Sequence, residues 1–454
     1  MTSTAPQPNF SESPEAGSGA HRARAHETIK PTGAWLPGMA LGARKLATLV
    51  QGRPFRLEGG STLPEVTLAY ETWGQLNERA DNAVLVCHAL TGDSHAAGRA
   101  GEGHPSEGWW DGLIGPGKAL DTDRYFVVCS NVVGGCQGST GPASVDPRTG
   151  KPYGGSFPIV TIRDMVRAQA LLATSLGVQR WASVVGGSMG GMQVLEWATM
   201  FPDRVGSIVA IATAAEAHAQ QIAWSMVGRR AILNDPNFAG GDYYEAAPGK
   251  GPHAGLILAR EIAQIHYRSE GVFNDRFGRS LLDPLDTAGS FALEQRFEVE
   301  GYLDYHGEKL VRRFDANSYL RLNKAMDLHD LGRSRGGVKA ALARITMPTI
   351  IMSIESDILY PPYQQEALRD ALMAQKTRCG FYEIKSPDGH DGFLIEVHQI
   401  ARVVEAFLES VVEVPHELLA PLPAPRVNSK APAIQEPDAY QEELRARGTE
   451  EAEQ

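Results

Sequence analysis

The sequence predicts an α/β fold in which a mostly parallel sheet is covered by helices on both faces. Short apolar segments rich in β-branched residues alternate with amphipathic helical patterns, an alternation typical of βαβ units. One helical pattern, Thr161–Leu176, begins with capping-box spacing between Thr161 and Asp164. The predicted strands are Phe55–Glu58, Val66–Glu71, Ala83–Cys87, Tyr125–Ser130, Ala182–Val185, Ile208–Ile211, Thr349–Ile354 and Phe381–Ile384.

One of these strands runs into a helical pattern through a serine flanked by glycines. Gly186 and Gly190 satisfy the pattern G-x-S-x-G around Ser188, directly after Ala182–Val185. So sharp a turn strains the serine backbone and needs glycines where the strand and helix nearly collide. The pattern predicts a nucleophile elbow that holds Ser188 Oγ at the carboxyl edge of the sheet. A glycine-rich turn without chemistry is the alternative; a dinucleotide loop fits worse, because G-x-G-x-x-G needs glycine at the serine position.

Two later strands end in residues suited to assist Ser188. Asp357 follows the strand Thr349–Ile354, and His390 follows the last predicted strand in a turn rich in Gly, Pro and Asp. An elbow predicts its partners in the order nucleophile, acid, histidine. We therefore predict that His390 accepts the proton of Ser188 while Asp357 fixes the imidazole tautomer. Asp388 is the rival acid, but it lies too close to His390 in sequence to approach the ring easily. Without a catalytic role, Asp357 would be a helix cap and His390 an ordinary loop histidine.

The loop after the strand Ala83–Cys87 is where hydrolases with such an elbow place one half of an oxyanion hole. We predict that the two donors are the backbone N–H groups of Leu90 and Met189. His88 opens the same loop. We interpret it as a hydrogen-bonded structural residue rather than a catalytic one, because buried polar groups are commonly satisfied in this way.

The two ends of the chain and one internal region differ from the rest. Residues 1–40 are rich in Ser, Pro, Ala and Gly and residues 413–454 in Pro, Glu and Ala, so both are predicted to be disordered tails. The strand signal vanishes over 216–337, which is too long for a loop. We predict a helical lid there, inserted into a core of residues 41–215 and 338–412. Its predicted helices are Gln220–Asn234, Ala254–Tyr267, Glu294–Phe314 and Ala316–His329.

The composition excludes several classes of protein. The 454 residues include 43 Lys and Arg against 54 Asp and Glu, a net charge of −11, so a nucleic-acid partner is not expected. No metal-ligand spacing such as H-E-x-x-H occurs, and no metal is predicted. Cys87 and Cys129 lie in apolar strands and are interpreted as buried thiols of a reducing compartment. Without a signal-peptide pattern or an 18-residue apolar run, the protein is expected to be soluble and cytoplasmic, with no membrane partner.

Six motifs stand out in the chain: HALTGDSH at 88–95, GWWD at 108–111, NVVGGCQGSTGP at 131–142, GGSMGG at 186–191, Ser356-Asp357 with Pro361-Pro362, and GHDGFL at 389–394. Together they resemble the homoserine O-acetyltransferase group of the α/β-hydrolase superfamily, over about residues 45–412. The elbow is shared by many hydrolases, but the two long glycine-rich blocks before it are not. The resemblance implies the α/β-hydrolase fold with an inserted helical lid. It also implies transfer of an acetyl group from acetyl-CoA, a co-substrate, to L-homoserine in methionine synthesis, with no further cofactor.

The resemblance further implies how the substrates are bound. The family's amino-acid-binding residues correspond to Arg260, Tyr267 and Asp391, and Thr91 in the oxyanion loop completes the predicted set. A zwitterionic substrate needs a guanidinium for its carboxylate and a carboxylate for its ammonium, and Arg260 and Asp391 supply one of each. Taken alone, they would be a solvated helix residue and a surface carboxylate. The resemblance also implies a homodimer through the lid.

Other functions are open at this point. A succinyltransferase acting on homoserine or serine would use succinyl-CoA, whose extra carboxylate needs an additional buried cation; Arg229 and Arg230 are candidates. A serine esterase would use the same triad with water as the acceptor, and would not require Arg260 or Asp391. A non-catalytic binding protein is disfavoured because all three triad members are present.

Overall fold

The computed structural model describes residues 28–282 and 295–412, and its centre is an eight-stranded sheet. Two short pairs lie outside that sheet, β2 (Phe55–Arg56) with β3 (Thr62–Leu63) and β6 (Ile114–Gly115) with β7 (Leu120–Asp121). Across the central sheet the order of strands is β1 (Lys45–Val50), β4 (Val66–Trp73), β8 (Phe126–Ser130), β5 (Ala83–Cys87), β9 (Ser183–Gly187), β10 (Ile208–Ile211), β11 (Thr349–Ile354) and β12 (Cys379–Ile384).

The strands from β8 to β12 run parallel, whereas β1 and β4 pair in antiparallel fashion. All residues of β5, β9, β10 and β11 are buried, because helices cover both faces of the sheet. This arrangement confirms the predicted fold class. Parallel strands end at a common edge, so the loops after β5, β9, β11 and β12 converge there.

Eleven helices accompany the strands among the described residues. The first begins at a capping box in which the Thr161 side chain accepts from Asp164 N and the Asp164 side chain accepts from Thr161 N, as the sequence predicts. The helices are α1 (Ile162–Ser175), α2 (Met189–Met200), α3 (Ala219–Leu233), α4 (His253–Tyr267), α5 (Glu270–Phe277), α6 (Glu298–Val311), α7 (Ala316–Asp327), α8 (Val338–Leu342), α9 (Pro362–Ala374), α10 (Gly392–Ile395) and α11 (Val397–Val412).

Helices α3 to α8 lie between β10 and β11; α3 to α7 fall in the region 216–337 where a lid is predicted, and α8 follows it. Small residues let these helices approach closely: a Cβ on Gly255 of α4 would lie 2.7 Å from Ala231 O of α3, and one on Gly307 of α6 would lie 2.6 Å from Ile257 Cγ2. The predicted helices correspond to α3, α4, α6 and α7, although α6 begins at Glu298 and residue 294 lies outside the described part of the chain. The short helix α5 was not predicted.

The first strand of the sheet differs from the prediction. The predicted strand Phe55–Glu58 pairs only over Phe55–Arg56, in a small hairpin outside the sheet. The sheet edge is formed instead by β1, in which no residue is fully buried. A half-exposed edge strand lacks the apolar run that marks buried parallel strands, which is why the pattern did not reveal it.

The predicted N-terminal tail of residues 1–40 is wrong for its last part, because residues 28–40 pack on the protein. Ile29 and Ala34 are buried. Thr32 Oγ1 donates to Asp315 Oδ1 over 2.8 Å, and Gly33 N donates to Phe314 O over 3.1 Å. A few anchoring contacts outweigh a composition that is typical of disorder. The predictions for residues 1–27 and for 413–454 concern segments outside the described residues.

Candidate active site

Ser188 lies at the turn between β9 and α2, with φ 58° and ψ −124°. A positive φ is costly for a residue with a side chain and occurs where the surroundings impose it. Here the strand end and the helix start are forced together: a Cβ on Gly190 would lie 2.1 Å from Cys87 O, and one on Gly186 would lie 2.8 Å from Gly190 C. The backbone therefore has the geometry of the predicted nucleophile elbow.

His390 and Asp357 meet at the same sheet edge. His390 Nδ1 lies 2.7 Å from Asp357 Oδ2, and both side chains are buried. Asp357 Oδ1 accepts from Leu359 N and Tyr360 N, each over 2.8 Å. With both carboxylate oxygens engaged, Asp357 holds the Nδ1–H tautomer of His390, which leaves Nε2 as the basic nitrogen.

The rival acid Asp388 faces another residue. Its Oδ1 lies 2.5 Å from Arg268 Nη1, at the end of lid helix α4. The structure thus brings Asp357, and not Asp388, to the imidazole of His390.

Phe393 connects the elbow with His390. Its ring centroid lies 5.4 Å from that of His390, and a Cβ on Gly187, next to Ser188, would lie 2.6 Å from Phe393 Cδ2. His390 Nε2 is buried and has no hydrogen-bond partner among the described residues. A basic nitrogen is therefore left unpaired beside the elbow, and catalytic hydrogen bonds often tighten only when substrate binds.

The elbow and the loop after β5 are tied together at the predicted oxyanion donors. Met189 is the first residue of α2, so its N–H has no acceptor within the helix. Gln193 Nε2 donates to both His88 O and Met189 O, each over 3.2 Å. His88 Nε2 in turn accepts from Val132 N, and burial lowers the pKa of this histidine. His88 is thus a neutral structural residue, as predicted.

Leu90 and Thr91 are the central residues of a tight turn. Gly92 N donates to Ala89 O over 3.0 Å and closes the turn. Thr91 is half-buried, and its backbone carbonyl accepts from Arg313 Nη1 of the lid over 2.8 Å. The turn fixes the direction of the Leu90 peptide, which is the second predicted donor.

Arg260 projects from α4 next to the predicted base. Its guanidinium lies 5.4 Å from the centre of the Tyr267 ring, and that ring lies 5.8 Å from the His390 ring. In the amide orientation that satisfies both neighbours, the Gln264 oxygen accepts from Arg260 Nη2 (2.7 Å) and its nitrogen donates to Tyr302 Oη (2.8 Å). Within the described ranges no carboxylate forms an ion pair with Arg260, whose guanidinium donates to the Gln264 amide.

Asp391 pairs with an arginine that the sequence analysis missed. Asp391 Oδ2 lies 3.4 Å from Arg268 Nε, and Asp388 binds the same guanidinium. Although burial opposes it, the Asp391 and Asp388 carboxylates raise the pKa of Arg268. Arg268 directly follows the predicted Tyr267, but no spacing in the sequence indicates that it meets the loop after β12.

A cavity between lid helices α3, α4 and α7 adjoins His390 through Leu90, Tyr267 and Tyr360. His266 lies in its wall and stacks on Trp224 with ring centroids 4.7 Å apart. Burial lowers the pKa of His266 to about 3, so the imidazole is neutral at physiological pH. The cavity is therefore mainly aromatic near the predicted base.

The two arginines considered for a succinyl donor are not free cations of this cavity. Arg229 Nη1 lies 2.6 Å from Asp327 Oδ2 and donates to Asn323 Oδ1 over 2.5 Å, and both partners line the cavity. Arg230 is exposed. The charge of Arg229 is thus already compensated by a buried carboxylate.

Glu71, His95 and His104 are the one group in the described ranges whose donor atoms lie close enough together for a metal ion. Their donors are already used: His95 Nδ1 lies 2.9 Å from Glu71 Oε2, and His104 Nε2 accepts from Ala43 N over 2.9 Å. The two rings stack 3.7 Å apart at 11°, so their nitrogen lone pairs do not converge. We interpret the group as a buried polar network that holds the loop after β5.

A family profile described as the α/β hydrolase fold matches residues 82–397. The homoserine O-acetyltransferase of Thermobifida fusca is 52% identical over 388 residues, covering 84% of this chain and 99% of its own. The chain belongs to the homoserine O-acetyltransferase family. The enzyme of that name from Leifsonia xyli is likewise 52% identical, over 80% of this chain and 89% of its own.

Solved structures place the family beside esterases. A homoserine O-acetyltransferase from Bacillus anthracis superposes with a TM-score of 0.73 at 30% identity, over 80% of this chain and 97% of its own. Esterase E22 superposes with the same TM-score at 29% identity, over 81% of this chain and 99% of its own. One scaffold thus serves proteins named as transferases and proteins named as esterases, so the acceptor must be argued from the site.

Proposed function

We propose that this acyltransferase moves an acetyl group from acetyl-CoA to the hydroxyl of L-homoserine through an acyl-Ser188 intermediate. The observation that carries the proposal is the position of Arg260: no carboxylate among the described residues pairs with it, and it lies over the Tyr267 ring that adjoins the buried Asp357–His390 pair. A hydrolase has no need of a free guanidinium at that place. An amino-acid acceptor does, because its carboxylate must be neutralised as it leaves water.

The first half-reaction forms the acyl-enzyme. Ser188 Oγ attacks the thioester carbonyl, His390 Nε2 accepts the hydroxyl proton, and the N–H groups of Leu90 and Met189 bind the developing oxyanion. The C–S bond then breaks, and the proton passes from His390 to the leaving thiolate. No cofactor besides acetyl-CoA as co-substrate is required for this step.

The second half-reaction repeats the sequence with homoserine. Arg260 binds the carboxylate of homoserine and Asp391 binds its ammonium, and the Tyr267 ring lies close to both Arg260 and His390. Thr91 lies at the oxyanion turn. His390 takes the proton of the homoserine hydroxyl, which attacks the acyl carbonyl and releases Ser188. Arg268 Nε lies 3.4 Å from Asp391 Oδ2 and so helps to position this carboxylate.

Acetyl rather than succinyl transfer is supported by the state of Arg229. A succinyl carboxylate needs its own cation, and the Arg229 charge is already bound to Asp327. With saturating homoserine, we expect acetyl-CoA to be used at least about 100-fold more efficiently than succinyl-CoA, the discrimination expected when a buried charge is left without a partner.

The acceptor is tested by the ratio of O-acetylhomoserine to free acetate formed per thiol released. We expect mostly ester from the wild type. Arg260→Ala and Asp391→Ala should acylate Ser188 normally but lose about 10- to 150-fold in transfer, since each removes a charge-assisted contact worth roughly 1.5–3 kcal/mol. Arg230→Ala, which removes an exposed lid arginine, is the matched control. A wild type that yields only acetate at saturating homoserine is an esterase.

We further infer a homodimer through the lid. Six large apolar side chains on α3 and α4 are at least one-third exposed. Such a patch on neighbouring helices fits burial against a second copy. Sedimentation equilibrium should show a dimer that Ile265→Glu dissociates and Leu171→Glu, on the surface of α1, does not. The six side chains are Ile222, Met226, Val227, Leu233, Leu258 and Ile265.

For its compartment, we infer the cytoplasm. All four cysteines are free and buried, as expected in a reducing environment. As a separate observation, no helix within residues 28–282 and 295–412 is long and apolar enough to cross a bilayer.

A further inference from the structure

Arg313 follows lid helix α6 and directs its guanidinium at the oxyanion turn. Its Nη1 donates to Thr91 O over 2.8 Å, across 222 positions of sequence. Thr91 follows Leu90 in the turn that Gly92 N closes on Ala89 O. The lid therefore holds the Thr91–Gly92 peptide, whose N–H donates to the carbonyl of the peptide that carries the Leu90 N–H.

The backbone of Arg313 is itself fixed from outside the lid. Gln137 Nε2 donates to Arg313 O over 2.6 Å, and the Gln137 oxygen accepts from Arg44 Nη2 over 3.3 Å. Gly33 N donates to the next carbonyl along, that of Phe314. These contacts fix the backbone from which the Arg313 side chain reaches the turn.

Among the described residues, no carboxylate forms an ion pair with Arg313. Burial lowers the pKa of this guanidinium, Asp93 raises it and Arg260 lowers it, but an arginine stays charged in proteins. Arg313 is half-buried, and an arginine withdrawn from solvent is normally paired with a carboxylate. Arg313 instead donates a charge-assisted hydrogen bond to a backbone carbonyl of the active-site loop, and such bonds are stronger than neutral ones.

We propose that Arg313 is a positioning residue that makes the oxyanion hole depend on the lid. By fixing Thr91 O, it aims the N–H of Leu90 at the oxyanion that forms in both half-reactions. The inference rests on the proposed acyl-Ser188 mechanism. Because the oxyanion forms already during acylation, loss of Arg313 should slow the acylation of Ser188 even when no amino acid is present.

The test uses the full-length enzyme and p-nitrophenyl acetate, which acylates a serine and releases a coloured phenolate without homoserine. Arg313→Met keeps the length of the side chain and removes its donors. We expect the burst rate to fall about 10- to 100-fold, less than the 10²- to 10³-fold lost when an oxyanion donor is removed outright. Arg313→Lys, which retains a charge and a donor, should fall between Arg313→Met and the wild type. Arg312→Met, the exposed neighbouring arginine, should match the wild type.

The outcomes separate the two proposals. If the wild type shows no burst, or if Ser188→Ala still shows it, the acyl-serine mechanism itself fails. If the wild type gives that burst and Arg313→Met gives it at the same rate, only the role of Arg313 is overturned. A normal burst with a raised KM for homoserine would instead make Arg313 a ligand of the amino acid. Should circular dichroism show that Arg313→Met is unfolded, Arg313→Lys decides: a wild-type burst rate from that variant overturns the inference.

Discussion

Ser188, Asp357 and His390 follow strands of the sheet, whereas Arg260, Tyr267 and Arg268 belong to lid helix α4 and the residue that ends it. The first group is fixed by backbone contacts: the positive φ of Ser188 and the two N–H donors on Asp357. The second group is fixed by side chains, namely ion pairs and ring contacts. In the proposed mechanism the sheet edge carries the nucleophile, the base and its acid, whereas lid helix α4 binds the acceptor.

Among the residues that follow strands of the sheet, Asp357→Asn should have the largest effect. This change should keep the fold and lower kcat by about 10⁴-fold, the loss seen when a triad acid is neutralised and the histidine tautomer is no longer held. The burst with p-nitrophenyl acetate and the steady-state rate should fall together. Asp388→Asn is the matched control and should lower kcat less than about tenfold, since Asp388 contacts Arg268 rather than His390. The reverse ranking would make Asp388 the orienting acid.

Among the lid residues, Arg268→Gln should affect binding of the acceptor without affecting acylation of Ser188. Without its cationic partner, Asp391 loses its fixed position, so kcat/KM for homoserine should fall about tenfold or more, the cost of one charge-assisted contact. The burst rate in the absence of homoserine should stay within about twofold of the wild type. An equal loss in both measurements would show that the lid also shapes the acylation site through this residue.

Deleting the N-terminal segment tests how the lid is held on the core. A chain starting at residue 41 loses the buried Ile29 and the Thr32–Asp315 hydrogen bond. Its free energy of unfolding should therefore be lower by about 3 kcal/mol, and its melting temperature lower by several degrees. A chain starting at residue 28 is the control and should melt like the full protein, because it keeps both contacts. Equal melting of all three chains would mean that residues 28–40 do not stabilise the fold.

The last prediction, whose effect appears only at acid pH, concerns a buried histidine at the junction of lid and core. His329 follows α7, donates from Nε2 to Ala214 O over 3.0 Å, and burial lowers its pKa to about 4 from 6.5. Below pH 6.5 this histidine binds a proton in the unfolded chain but stays neutral in the folded protein. The free energy of unfolding should therefore fall by about 3 kcal/mol between pH 6.5 and 4. Urea unfolding at several pH values should show a flatter dependence for His329→Asn, but not for the exposed His398→Asn.

Local pattern determined the chemical core of this protein. An apolar strand, a serine between glycines and two later strands ending in Asp357 and His390 specify the elbow and the order of its partners, because the constraints act within a few residues of each strand. The same reasoning found the parallel sheet and the helical lid. It missed the edge strand β1, in which no residue is fully buried.

Tertiary structure alone decided which distant groups meet. Arg268 pairs with Asp388 across 120 positions and Arg313 reaches Thr91 across 222, and each is an ordinary arginine in its own segment. The segment 28–40 has the composition of a tail, yet it packs because Asp315 and Phe314 happen to face it. Composition and periodicity report the average surroundings of a residue, whereas a hydrogen bond or an ion pair requires two particular atoms within about 3 Å, which only the folded chain provides.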